Sequence, residues 1–175
     1  MIPKIEKKFT RLNEKLNTVF NYLDGLTDEQ RKQSPKGAWS AVQILRHLQM
    51  SESGTASYLR KKVQTNPADV PSAGIAGKLR SFLLSRALKN YGKKFKAPRV
   101  IGEMEENPNY VDVKNEYKKT RDELRGLLSG FDQKGAGKAY FKHPVAGKIN
   151  IHQTLTFLEN HFDRHIEQIK ERSKV

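Results

Sequence analysis

The chain contains no cysteine. This one absence removes disulfides, thiolate metal ligands and a cysteine nucleophile together, so any bound metal must be held by nitrogen and oxygen. Long hydrophobic runs are missing too: no stretch approaches the ~20 apolar residues of a membrane span. The first residues, MIPKIEKKFTRL, reach charge at once, without the apolar core of a signal peptide. A cytoplasmic protein is the expectation. Acidic residues are scarce, with 19 Asp and Glu facing 33 Lys and Arg, a formal net charge of +14. No segment shows a convincing strand pattern. Hydrophobic residues at 36%, charged residues at 30% and a mean hydropathy of −0.75 suit a helical bundle with charged outer faces. A chain of 175 residues is long enough to bury a core, and residues 1–175 read as one domain.

What is present is helical periodicity. Ile5, Phe9, Leu12, Leu16, Val19 and Leu23 recur at steps of four and three, with Pro3 in a first turn and Gly25 at the stop. After a polar linker, Ser40 is placed to cap a second helix with the series Leu45, Leu48, Ala56, Leu59 and Val63, and Glu52 falls near that stripe. Pro67, Pro71, Gly74 and Gly77 break the chain, and a shorter helical stretch, KLRSFLLSRALKNY, follows. A third long helix carries Val113, Tyr117, Thr120, Leu124, Leu127 and Phe131. Asn150 and Gln153 form the signature of a capping box for the last helix, whose core stripe is Ile151, Leu155, Leu158, Phe162 and Ile169. The pattern predicts an all-α four-helix bundle. The connector of roughly 45 residues between the second and third long helices predicts one long crossover containing a short extra helix.

The last helix places His161 and His165 four residues apart, so both imidazoles share one face and can offer two nitrogens to one ion. Five histidines scattered at random would give only about 0.14 such pairs. A catalytic metal commonly takes three protein ligands and keeps a position open, so a third is needed. His47, in the helical run WSAVQILRHLQMSE, is the first candidate; His143, in a loop before Pro144, and His152, in the first turn of the last helix, follow. Carboxylates often orient ligating imidazoles through their second ring nitrogen. Glu52, Asp163 and Glu167 are the candidates for that task, and Trp39 for closing the pocket.

Two stretches, GAWSAVQILRHLQMSE and HPVAGKINIHQTLTFLENHFDRHIEQI, resemble the DinB-like proteins, also described as YfiT-like metal-dependent hydrolases and thiol S-transferases. The resemblance covers nearly the whole chain. It implies a four-helix bundle of that type, a divalent ion, zinc first and nickel second, on His47, His161 and His165, and frequently a homodimer. It also implies transfer of a low-molecular-weight thiol to an electrophile, or hydrolysis of a small molecule. With no cysteine in the chain, such a thiol must be an exogenous cosubstrate.

The cationic excess supports a different class of function. Between Arg60 and Arg99, eleven basic residues stand against one acidic residue, Asp69, carrying +10 of the formal charge. This basic connector, about residues 60–109, interleaves its charges with Phe82, Leu83, Leu84, Tyr91 and Phe95. The alternative reading is a non-catalytic module that docks on nucleic acid or an anionic membrane surface. A third use is steering an acidic small substrate toward the metal.

Overall fold

The structure is a computed structural model and describes residues 1–90 and 104–174. Tyr91, Phe95 and the cations Lys93, Lys94, Lys96 and Arg99 lie outside the described residues. Seven helices are present among the described residues: α1 (Pro3–Asp24), α2 (Asp28–Lys32), α3 (Ala41–Val63), α4 (Ile75–Leu88), α5 (Tyr110–Ser129), α6 (Gln133–Ala136) and α7 (Ile151–Arg172). A two-stranded antiparallel hairpin, β1 (Phe141–His143) with β2 (Gly147–Ile149), precedes α7. The protein is thus all-α, built on α1, α3, α5 and α7, with a hairpin too short for alternation to reveal it.

The starts of the helices follow from side-chain capping of orphan backbone donors. Ser40 and Gln43 form a capping box at α3, and Asn150 and Gln153 form one at α7. Asn109 accepts from the N–H groups of Val111 and Asp112 at the start of α5. The long helices then bury one stripe each, including Ile5, Phe9 and Leu12 of α1 and Leu155, Leu158 and Phe162 of α7. Val63, expected on the α3 stripe, is 38% exposed because the last turn runs past Leu59, the final buried residue of that helix.

Partners along the helix seams give the directions. Lys8 reaches His152 and Thr156, Arg11 pairs with Glu159, Lys15 with Asp163, and Tyr22 bonds Ser173, so α1 and α7 run parallel. Arg46 pairs with Glu116, Gln49 bonds Thr120 and Arg60 pairs with Glu123, so α3 and α5 also run parallel. His47 of α3 faces His161 of α7, and the C-terminal end of α3 shares a core with the N-terminal ends of α1 and α7, so the two pairs are antiparallel to each other. The main packing joins α3 to α5 and α7, and α1 to α7 and α5, which puts α1 diagonally across from α3. Parallel α3 and α5 require the chain between them to travel back along the bundle, which is the long crossover the sequence predicts. Within that crossover, α4 lies on α7 and β2.

The core divides into two apolar clusters, one at the N-terminal ends of α1 and α7 and one at their C-terminal ends. Between them, buried Arg121 of α5 donates from Nε and Nη2 to the Glu52 carboxylate at 2.6 and 2.8 Å. Tyr117 donates its hydroxyl to the same carboxylate at 2.6 Å, and Arg121 also donates to Asn13 of α1 at 3.0 Å.

Candidate metal centre

The capping box at Ser40 starts α3 so that His47 lies two turns in, on the face turned toward α7. The box at Asn150 sets α7, and its period then brings His161 and His165 to meet it. Nε2 of His161 lies 3.2 Å from Nε2 of His47 and 3.2 Å from Nε2 of His165. The ligating atoms of all three fall within 4.8 Å of one another, and they are the sole such cluster of metal-ligating groups among the described residues.

Burial keeps these rings neutral. It pushes His47 down from 6.5 to about 4 and His165 to about 3. His161 is held well below the ordinary histidine value, first by burial and then by the neighbouring imidazoles. A neutral imidazole has one N–H and one lone pair. His165 places Nδ1 2.6 Å from Oε1 of Gln168; donating there leaves the lone pair on Nε2, aimed at the cluster. Phe157 stacks on His161 with centroids 5.5 Å apart, and Trp39 lies against His47 at 5.1 Å.

A divalent ion fits this donor set. Two nitrogens at Zn–N bond lengths around a tetrahedral ion lie about 3.3 Å apart, close to both 3.2 Å separations. One shared proton at His161 Nε2 could satisfy only one of its two neighbours, whereas a cation answers all three lone pairs. His47 Nδ1 is buried without a hydrogen-bond partner, so its N–H imposes no competing orientation.

The remaining candidates fall elsewhere. Glu52 is taken by Arg121 and Tyr117, Asp163 pairs with Lys15 at 2.5 Å, and exposed Glu167 pairs with Lys170 at 3.3 Å. Each of these contacts directs the carboxylate at a cation rather than at an imidazole. His152 lies in the groove beside Lys8, and His143, on β1, is separated from His161 by the Phe157 ring. Gln168 is not among the site candidates drawn from the sequence; its spacing of three residues from His165 on one helix is the signal that points to it.

The family profile of the DinB superfamily matches residues 11–169. The chain belongs to the DinB superfamily. This DinB chain is also similar to the uncharacterized protein YuaE of Bacillus subtilis (strain 168), 26% identical over 160 residues, covering 91% of this chain and 93% of YuaE. No solved structure matches it significantly. DinB membership and the three-histidine cluster are compatible with a metal-binding protein and suggest a divalent metal. No helix among the described residues is long and apolar enough to cross a membrane.

Proposed function

We propose that His47, His161 and His165 hold a divalent ion, zinc foremost and nickel next, and that the protein uses it to transfer an exogenous low-molecular-weight thiol to an electrophile or to hydrolyse a small molecule. The observation that carries the reading is the convergence of three neutral imidazoles, with Nε2 separations of 3.2 Å on both sides of His161. A divalent ion at such a site supplies Lewis acidity, with positions left over for a thiol, water or substrate. The protein's own groups do the rest. Gln168 holds the His165 tautomer through Nδ1, while Phe157 and Trp39 wall the rings with apolar surface and limit water. A thiol, if used, arrives with the cosubstrate because the chain has none of its own. Cytoplasmic location belongs to the same proposal, since a reducing compartment supplies such thiols.

Metal content per chain, measured on tag-free protein prepared without chelators alongside His161→Ala, tests this reading. The expected result is about one zinc or nickel per wild-type chain, lost in the variant, together with metal-dependent turnover in a panel of thiol-transfer and hydrolysis assays. No metal in either protein after reconstitution would overturn it.

A further inference from the structure

Helix α4 is apolar on two opposite faces, and the bundle covers only one. Gly77, Ser81, Leu84 and Leu88, at helical spacing, turn inward. Ile75, Leu79, Phe82 and Leu83 turn outward and are 85%, 58%, 61% and 54% exposed, making four of the seven exposed large hydrophobic side chains among the described residues. Scattered exposed leucines need no explanation, but a single-face stripe of this kind does.

The charge around the stripe indicates what covers it. Between Val70 and Asn90 there is no acidic residue, whereas Lys78, Arg80, Arg86 and Lys89 lie on or beside α4. Arg86 projects from the exposed face itself, and Lys78 and Lys89 flank it. Phe82 also lines a groove between α4 and the α1–α7 seam, shared with Lys4, Lys78, Arg86 and Lys89. The two carboxylates of that groove, Glu159 and Asp163, already face Arg11 and Lys15. A second copy of this face brought against the first would oppose cation to cation without a carboxylate from α4 to relieve it. Aliphatic Ile75, Leu79 and Leu83 make poor contacts for phosphodiester backbone, which is recognised by charge, polar groups and aromatic stacking. Apolar side chains at the centre of a helix face, bordered by Lys and Arg, match the boundary between anionic headgroups and acyl chains.

We propose that the outward face of α4 docks this protein on anionic phospholipid surfaces. Leu79, Phe82 and Leu83 enter the acyl boundary, and Lys78, Arg86 and Lys89 meet the phosphates. The helix lies on the membrane rather than through it, consistent with its 14 residues and its cations. This goes beyond the metal site and does not depend on it, since α4 contributes none of the three histidines.

Co-sedimentation of the whole protein with vesicles of phosphatidylglycerol and phosphatidylcholine in equal parts, and with phosphatidylcholine alone, tests the proposal. Partitioning to the anionic vesicles should be stronger by at least about tenfold. Leu79→Ser with Phe82→Ser, at exposed positions, should weaken it by about tenfold or more, and Lys78→Glu with Arg86→Glu by about a hundredfold, with helical circular dichroism unchanged. Wild-type protein that ignores anionic vesicles would overturn the proposal. So would vesicle binding that survives Leu79→Ser with Phe82→Ser, which would mark simple charge adhesion. A wild-type dimer made monomeric by those two substitutions would assign the face to a second copy instead. Tighter binding to a DNA duplex than to vesicles, insensitive to the same substitutions, would assign it to nucleic acid.

Discussion

A histidine buried away from anions stays neutral, and His143 shows what can enforce this. Its Nδ1 accepts the backbone N–H groups of Val145 and Ala146, each at 3.1 Å, so protonation there would break both bonds. Burial pushes its pKa from 6.5 to about 4. An unfolded chain takes up this proton first as pH falls. The contribution of His143 to stability is therefore complete above about pH 6.5 and lost progressively toward pH 4, at ~1.4 kcal/mol per pH unit and up to about 3 kcal/mol. His143→Asn keeps an acceptor suited to the turn while removing the titration. Urea midpoints of metal-free protein between pH 7 and 4 should decline less steeply in this variant, by about one proton; an identical decline would show that His143 does not contribute to the loss. Gln168 is a second residue with a defined task, holding Nδ1 of His165 at 2.6 Å. Gln168→Leu is expected to weaken metal binding by about 10–100-fold in chelator competition, leaving the fold intact; unaltered affinity would mean that packing alone orients the ring.

Glycines within helices separate two effects of opposite sign. Gly77 of α4 sits so close to β2 that an added Cβ would meet the Lys148 carbonyl oxygen at 2.8 Å. Gly126 of α5 has nothing within 4 Å of the same position. Gly126→Ala should therefore stabilise by about 0.5–1 kcal/mol through helix propensity alone. Gly77→Ala gains the same propensity, yet must push α4 off the hairpin backbone, for a net loss of about 1–2 kcal/mol. Thermal unfolding of the two variants checks the pair, and a stabilised Gly77→Ala would show that α4 is not held against β2. Arg164 ties the other end of α4 to α7 by donating to the carbonyls of Leu88 and Asn90 at 3.3 and 2.9 Å. The crossover helix is thus held at both ends, which positions its outward face relative to the bundle.

Across the molecule, the Glu52–Arg121 pair links α3 to α5 at the level where the two apolar clusters meet, and Arg121 extends the link to Asn13 of α1. The two side chains are 2% and 5% exposed, so neither charge has water to fall back on. Removing one partner strands the other: Glu52→Ala is expected to lose about 3–5 kcal/mol in urea unfolding. Replacing both, Glu52→Met with Arg121→Leu, should recover most of that loss. A double variant as unstable as the single one would show that the network acts through Tyr117 or Asn13 instead. The same pair explains Glu52, a carboxylate on an apolar stripe whose partner lies 69 residues away.

Periodicity in the chain was enough to locate the long helices, because a helix that buries one face repeats its apolar residues every three or four positions wherever the partner lies. Caps were legible for the same local reason: Ser40 and Asn150 act on N–H groups within three residues. His161 and His165 share a face by helix geometry alone. The length of the crossover was also readable, since two parallel helices cannot be joined by a short loop. Partner identity was not. Spacing made His47 the first candidate to join His161 and His165 but could not show the meeting across 114 residues; Glu52 turns to Arg121, and the three-residue strands β1 and β2 are too short to alternate visibly. The diagonal placement of α1 and α3, and the choice of which apolar face of α4 is buried, likewise came only with packing. A sequence pattern records that a face avoids water; what covers that face depends on elements distant in the chain, and only their assembly decides it.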